Sequence, residues 1–363
     1  MKKVLSLTLC LLMILSVVSL FSCGSKTYKI AVVTDVGQLM DKGFNQGTYE
    51  GAKAYAEANN VTYKYYQPQG GADATDADRV TAMELAITNG AEVIVTPGFL
   101  QANAITEVAA KHPEVKFIFV DGWALGLDNV TAIVYKEQES GYLAGYAAVM
   151  EGYRKLGYTG GGGGANPACN RFGYGFVQGA EAAAKELNLE DGAIEMRYSY
   201  NFGTNFSASP ELQTQISGWY AAGTEAVFAC GGSMFQSVVA AAETTTNGKI
   251  IGVDVDQSGD SDRVITSAVK GLRESVSLVL TKFYEGKWDA ELKNAEQNLG
   301  AAEDATGLPT DTWSFTTFTK DQYTALYTKI KNGEITPDSA TPEDANNADW
   351  LNKFAKITLK FEK

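Results

Sequence analysis

Short apolar segments alternate with amphipathic stretches along the chain from residue 29 onward. The first apolar segments are 29–34, 61–67, 91–96 and 115–121. Turn residues bound them, and stretches of helical period such as 76–90 separate them. Nearly all-apolar strands of this kind are typical of parallel sheets that helices cover on both faces. The pattern therefore predicts an α/β fold.

The same order of segments occurs twice. Residues 175–188 resemble 47–60, residues 221–232 resemble 88–98, and residues 248–256 resemble 115–122. Gly223 follows Gly90, and Asp254 follows Asp121, at the same offset of 133 residues (223 − 90 and 254 − 121). Matches in one register predict two similar α/β lobes.

Carboxylates and glycines follow directly on the predicted strands, at Asp35, 96–98, Asp121, 230–232 and Asp254. In open parallel sheets, ligands bind beyond the carboxyl ends of the strands, because loops and helix N-termini converge there. Two lobes that face each other would form a cleft lined by carboxylates, glycines and aromatics. This arrangement predicts a binding site for a small molecule.

The first residues are predicted to direct export. Two lysines precede an apolar segment, 4–20, and small residues follow it, which is typical of a secretory signal. Residues 20–23, Leu-Phe-Ser-Cys, resemble a lipobox, the motif of bacterial lipoproteins. This resemblance implies a signal peptide over 1–22, acylation of Cys23 and an anchor linker over 23–28. The alternative is an ordinary signal peptide with an incidental cysteine.

No later segment is apolar enough to cross a bilayer, so we expect the lipid on Cys23 to hold the exported protein at the membrane of the cell envelope. The formal net charge of −13 repels phosphate backbones, which argues against nucleic acid as a partner. The single histidine, His112, lowers the expectation of acid–base catalysis. Cys169 and Cys230 lack a CxxC partner, and we expect two buried thiols, the alternative being a disulfide between them.

Four motifs together resemble one protein family. They are the lipobox, DVGQLMDKGFNQGTYEG at 35–51, EQESGYLAGYAA at 137–148 and IGVDVDQ at 251–257. They resemble the basic membrane protein family, which comprises substrate-binding lipoproteins of ABC transporters and is similar to bacterial purine nucleoside receptors. The resemblance implies a purine nucleoside ligand (inosine, guanosine or adenosine), a membrane permease as partner and a monomeric protein.

The family fold implied is two-lobed and periplasmic-binding-protein-like (type I), each lobe being a parallel sheet flanked by helices. The expected lobe 1 comprises 29–136 plus about 258–297. The expected lobe 2 comprises about 137–257 plus 298–363. The ligand cleft lies between them.

The resemblance assigns the base end of this cleft to the first lobe. Phe44 would stack on the purine and Asn45 would bond to its edge. A base on an aromatic face gains roughly 1–3 kcal/mol, and an amide can both donate and accept. Asp35 and Asp121 are expected to be acceptors that face the cleft. The alternatives are local ones, a hydrophobic staple for Phe44 and helix capping for the two aspartates.

The sugar end is assigned in the same way. Asp254 matches the family aspartate that holds the ribose hydroxyls, and Lys270 matches a lysine near the sugar, the alternative being an exposed lysine. A carboxylate accepts from two vicinal hydroxyls, whereas an acidic cleft repels a phosphate, so a nucleoside is favoured over a nucleotide. Gly232 would allow backbone to approach the sugar, and a tight turn is the alternative.

Two regions depart from the family pattern. The second stacking aromatic is Phe202 or Phe206, and Phe206 is favoured because it follows Gly-Thr-Asn. The run of glycines at 160–164 predicts either a mobile rim or a close approach of backbone.

The sequence offers little for chemistry other than binding. Loop 254–265 has oxygen side chains spaced as in an EF-hand, but Ile265 stands where a bidentate Glu is needed, so we expect no metal site. We also expect no enzyme activity, no catalytic residue and no cofactor, since no metal–carboxylate cluster or activated nucleophile is recognisable. The alternatives to a nucleoside receptor are a sugar- or ribosyl-binding lipoprotein of the same fold, and a surface antigen or adhesin without a transport role.

Overall fold

A computed structural model describes residues 27–362 except 37, 343, 344 and 347. The predicted signal peptide, Cys23 with its predicted acylation, and most of the predicted anchor linker lie outside the described residues. None of the helices in the described part of the chain is long and apolar enough to cross a membrane.

The described residues form strands and helices that alternate as expected. The strands are β1 (Ile30–Val33), β2 (Tyr63–Tyr66), β3 (Val93–Pro97), β4 (Lys116–Val120), β5 (Val130–Tyr135), β6 (Lys155–Gly160), β7 (Ile194–Ser199), β8 (Ala226–Cys230), β9 (Lys249–Asp254), β10 (Val264–Lys270), β11 (Glu296–Leu299), β12 (Thr306–Gly307) and β13 (Ile357–Glu362). The longer helices are α1 (Phe44–Ala58), α2 (Asp76–Thr88), α3 (Ala102–Lys111), α4 (Glu137–Glu151), α5 (Pro167–Glu186), α6 (Pro210–Ala221), α7 (Met234–Glu243), α8 (Leu272–Tyr284) and α9 (Lys320–Lys331).

The strands form two sheets with the same internal order. The first sheet has the order β11-β5-β4-β3-β1-β2, and the second has β12-β10-β9-β8-β6-β7-β13. Within them β2-β1-β3-β4-β5 corresponds to β7-β6-β8-β9-β10. All pairs are parallel except β10 with the short edge strand β12. The repeat predicted from the sequence is therefore present, and the two-lobed α/β fold is confirmed.

Helices cover both faces of each sheet. In β1, Ile30 and Val32 face an apolar cluster that includes residues of α1 and α8, whereas Ala31 and Val33 face a second cluster that includes residues of α2 and α3. This alternation follows from the two-residue period of a strand, and it explains why β1 has no polar side chain. Two further clusters pack in the second lobe.

The expected boundary near residue 258 is wrong. Residues 258–270 do not return to lobe 1, because β10 pairs in parallel with β9 of the second sheet, Ser267 lying opposite Gly252. The chain crosses to the first lobe at Gly271, and α8 packs there beside α1. It crosses back after β11, so Asn298 and Leu299 also belong to the first sheet rather than to lobe 2.

The order of strands also locates a site. In each sheet the connections turn in opposite directions on the two sides of one strand pair, β1 with β3 and β6 with β8. The loops beyond the carboxyl ends of such a pair diverge and leave a crevice. The two crevices meet between the lobes.

Candidate functional site

A cavity lies between the lobes at the carboxyl ends of these strands, with about 600 Å³ of space between its walls and mouth. The residues predicted to bind the ligand all line it: Asp35, Phe44, Asn45, Asp121, Phe206, Gly232, Asp254 and Lys270. The structure thus brings together side chains that are far apart in the sequence.

The first-lobe wall is organised by Asp41, which the sequence analysis did not single out. Its carboxylate accepts hydrogen bonds from the backbone N–H groups of Gly43, Asn45 and Gln46, at 2.9, 2.9 and 3.1 Å. Asp41 therefore caps the start of α1, the role considered above for Asp35. Burial raises the pKa of Asp41, against the lowering effect of these hydrogen bonds. Its position in the motif at 35–51, three residues before Phe44, was the available signal.

The Asn45 amide is held in one orientation. Its Nδ2 donates to Asp35 and to Asp41, both at 3.1 Å. Because two carboxylates can only accept, the NH₂ group must face them. The Asn45 Oδ1 is then buried and has no hydrogen-bond partner among the described residues. The cavity thus presents an oriented acceptor to its contents.

A buried lysine joins the lobes on the other side of the cavity. The Lys270 ammonium, with a side chain only 2% exposed, is paired with Asp121 of the first lobe. It also lies 3.5 Å from an oxygen of Asp254 and 3.8 Å from an oxygen of Glu137, both in the second lobe. Arg171 donates to the other oxygen of Glu137 at 2.6 Å. Glu137, which was not among the residues predicted to bind the ligand, belongs to this charge cluster.

The cluster shifts the pKa values of its members. Burial raises the pKa of Asp121 to about 6, with Lys270 acting in the opposite direction. Burial raises the pKa of Asp254 as well. For Lys270, burial disfavours the ammonium, but Asp121, Asp254 and Glu137 outweigh it and hold the lysine pKa above its usual value. Three carboxylates face two cations here, so this end of the cavity suits a neutral group with donors better than an anion.

Aromatic rings from both lobes flank the cavity. Phe44 begins α1, packs in part on the first-lobe core and lies with its ring centroid 4.6 Å from the Lys270 Nζ. Its ring thus serves local packing and the cavity wall together. Phe206 enters from the second lobe, whereas Phe202 is 50% exposed and lines a separate surface groove. The geometry therefore favours Phe206 over Phe202 as the second cavity aromatic.

The glycine run approaches Phe206 closely. A Cβ on Gly161 would overlap the Phe206 ring, so only glycine fits between this ring and the end of β6. Gly232 lies on the other side, where a Cβ would come within 3.1 Å of the Phe206 carbonyl oxygen. Of the two alternatives for residues 160–164, the structure thus shows close backbone approach at Gly161.

The two cysteines lie in the cavity wall as free, buried thiols, as expected. The Cys169 Sγ donates to the Cys230 carbonyl oxygen at 3.6 Å, and burial raises the pKa of the Cys230 thiol well above its usual value. Such thiols are weak nucleophiles.

The oxygen side chains of loop 254–265 do not converge. Asp256 accepts from the Ser258 N–H at 3.0 Å and from Thr312 Oγ1 at 2.6 Å, and Asp260 pairs with Lys42 at 2.6 Å. Within the described ranges, no group of three or more His, Cys, Asp or Glu side chains could hold a metal ion.

Comparison with known proteins agrees with this architecture. Residues 28–339 match the Bmp family, described as ABC transporter substrate-binding protein PnrA-like. The chain belongs to this family. The family description is that of a substrate-binding component of an ABC transporter.

Two relatives resemble this Bmp protein over most of their length. The ABC transporter nucleoside-binding protein BmpA of Lactococcus lactis is 27% identical over 300 residues, covering 75% of this chain and 81% of the relative. The CD4+ T-cell-stimulating antigen of Listeria innocua is 27% identical over 307 residues, covering 78% and 81%. A solved solute-binding protein of an ABC transporter system from Aeropyrum pernix has a TM-score of 0.72 at 21% identity, covering 90% of this chain and 97% of that one, which supports the fold.

The Asp121 carboxyl should make stability depend on pH. Its pKa in the folded protein is raised from 3.8 to about 6, so the folded state holds the proton more tightly than the unfolded chain does. This contribution to stability is complete below about pH 4 and is lost as the pH rises through about 6. In Asp121→Asn it is missing. The free energy of unfolding of the variant minus that of the wild type, from urea denaturation of ligand-free protein, should therefore rise between pH 4.5 and 7.5.

Asp128→Asn is the control for loss of a carboxylate. Asp128 is exposed and pairs with Lys293 on the surface at 2.7 Å in the wild type. A difference between Asp121→Asn and wild type that stays constant across this pH range would contradict the assignment.

Proposed function

We propose that this protein is a lipid-anchored receptor that binds a purine nucleoside between its lobes and delivers it to the permease of an ABC transporter. The observation that carries the proposal is the arrangement of Phe44 and Phe206, which come from opposite lobes and line one cavity beside the oriented Asn45 amide. Two aromatic walls and an edge acceptor suit a planar heterocycle that carries N–H donors.

The base fits the first-lobe end of the cavity. Inosine, guanosine and adenosine each carry an N–H group on the edge of the base, and Asn45 Oδ1 is an acceptor that no other group in the described structure satisfies. A ligand donor there would remove the cost of burying an unpaired oxygen, about 1–3 kcal/mol. This preference for a donor follows from the orientation that Asp35 and Asp41 impose.

The sugar fits the charge cluster. Asp254 and Asp121 supply acceptors for ribose hydroxyls, Lys270 supplies a donor, and Gly232 brings backbone to the cavity wall. The excess of carboxylates over cations would repel a phosphate, so we propose a nucleoside rather than a nucleotide. The nucleoside-binding name of the Lactococcus lactis relative supports the same ligand class.

The Listeria innocua relative is named for an antigen, which keeps a role as a surface antigen as the second candidate. An antigen needs no closed cavity between lobes. The built cavity with its oriented amide therefore favours the receptor.

Replacing Phe44 tests the base end. Phe44→Ala should weaken binding of inosine, guanosine or adenosine by about 10- to 100-fold, because stacking contributes roughly 1–3 kcal/mol. Isothermal titration calorimetry on protein lacking residues 1–23 measures this change in affinity. The control is Phe202→Ala, which replaces an exposed aromatic outside the cavity and should bind like the wild type. Binding of free ribose as tight as that of the nucleosides, with little effect of Phe44→Ala, would instead indicate a sugar receptor.

Asp254 tests the sugar end through a double-mutant cycle. The wild type should bind inosine more tightly than 2′-deoxyinosine by about tenfold, since a hydroxyl bonded to a charged group contributes roughly 1.5–3 kcal/mol. In Asp254→Asn this ratio should fall toward one, whatever the change in overall affinity. An unchanged ratio would remove Asp254 from the ribose site.

Cys23 tests the anchor. We propose that its acylation holds the exported protein at the membrane, since the lipobox resemblance implies it. Full-length protein expressed in a bacterium should partition into the detergent phase of Triton X-114 and take up labelled palmitate. Cys23→Ala should do neither. If Cys23→Ala partitions into detergent as the wild type does, another segment holds the protein at the membrane.

A further inference from the structure

A second set of contacts joins the lobes outside the cavity. The loop that follows β9, residues 255–260, is called here the latch loop, and it meets residues 41–43, which lead into α1. Gln257 Nε2 of the latch loop donates to the Lys42 carbonyl oxygen at 2.8 Å. The Lys42 ammonium in turn pairs with Asp260 of the latch loop at 2.6 Å. Val255 packs against the apolar cluster of the first lobe.

The second lobe holds Gln257 rigidly. Its Oε1 accepts from the Val253 N–H of β9 at 2.9 Å, and its own N–H donates to Ser267 Oγ of β10 at 3.0 Å. The residue is only 1% exposed. Because the Val253 N–H can only donate, the amide oxygen must face it, and the Nε2 must face the first lobe. The hydrogen bond to Lys42 therefore requires the first lobe to lie against the latch loop, as it does in this structure.

The contact falls on the segment that carries the ligand-facing residues. Lys42 lies between the capping Asp41 and the pair Phe44 and Asn45, and its φ of +57° is in the left-handed region, which is uncommon for a residue with a side chain. Its backbone N–H donates to Gln46 Oε1 at 3.2 Å. The hydrogen bond from Gln257 to the Lys42 carbonyl thus fixes the turn immediately before Phe44 and Asn45 in the cavity wall.

We propose that Gln257 and Asp260 are positioning residues that form a latch, which grips the turn before Phe44 only when the lobes are closed and so sets how long a bound ligand stays. Neither residue lines the cavity. The latch makes no contact until the lobes meet. It therefore slows ligand release.

Two variants should disrupt the latch and leave the fold intact. Gln257→Glu keeps an oxygen for the Val253 N–H, and the ionised carboxylate places a second oxygen against the Lys42 carbonyl, which removes the interlobe bond. Asp260→Asn removes the ion pair at a side chain that is 21% exposed, with almost no change in shape. The control is Asp128→Asn, which removes an ion pair of similar length, to Lys293 at 2.7 Å, that lies entirely within the first lobe.

Closure is measured first without any ligand, so that the result does not depend on the proposed nucleoside. Small-angle X-ray scattering should show a larger radius of gyration for Gln257→Glu and Asp260→Asn than for the wild type and Asp128→Asn. With a nucleoside bound, stopped-flow dissociation should be faster by roughly tenfold for Gln257→Glu and about two- to fivefold for Asp260→Asn, with the association rate no lower than in the wild type.

The midpoint of urea unfolding distinguishes a latch from a residue that only stabilises the fold. This midpoint should be the same for Asp260→Asn and Asp128→Asn. Scattering and dissociation rates of Asp260→Asn that match those of the control would overturn the latch. Open scattering curves with unchanged release would also overturn it, because closure would then not govern residence. If no nucleoside binds to any variant, the proposed function fails, while the scattering of ligand-free protein still decides the latch.

Discussion

The burial of the Lys270 ammonium constrains the whole arrangement of the lobes. A cation taken out of water is costly unless carboxylates compensate it, and the partners come from both sides of the cleft, Asp121 in the first lobe and Asp254 and Glu137 in the second. Separating the lobes would leave Lys270 with its second-lobe partners but would expose Asp121 to solvent. The position of one lobe relative to the other is therefore tied to the balance of charge in the cluster.

The need to satisfy buried polar groups also determines the structure around Asn45, at the other end of the cavity. Two neighbouring carboxylates, Asp35 and Asp41, fix the Asn45 amide because neither can donate. Backbone N–H groups at the start of α1 in turn satisfy Asp41. The chain of dependence runs from a helix start, through a carboxylate, to a single acceptor in the cavity. Binding chemistry here is determined by the groups behind the wall as much as by the wall itself.

Much of this could be predicted from the sequence, because apolar runs mark buried parallel strands and a repeat in one register places Asp121 and Asp254 at equivalent strand ends. Both residues have a positive φ, +56° and +68°, as equivalent positions should. The crossing at Gly271 could not be predicted, since an apolar strand such as β10 fits either sheet and only its pairing with β9 decides. Glu137 was missed for a related reason. Its partners Lys270 and Arg171 are distant in the sequence, and only the fold brings them together.

The buried acceptors show how closure and ligand chemistry are connected. Asn45 Oδ1 and Asp121 Oδ1 are both buried without a hydrogen-bond partner in the part of the chain that the structure describes. Each unpaired acceptor costs about 1–3 kcal/mol, so lobes that close on an empty or apolar cavity keep both costs. A ligand with donors at two ends removes them in the closed state alone. Such a ligand shifts the population toward closure, because it interacts differently with the two states. Selectivity for a donor-bearing ligand and closure of the lobes are then two consequences of the same unpaired oxygens.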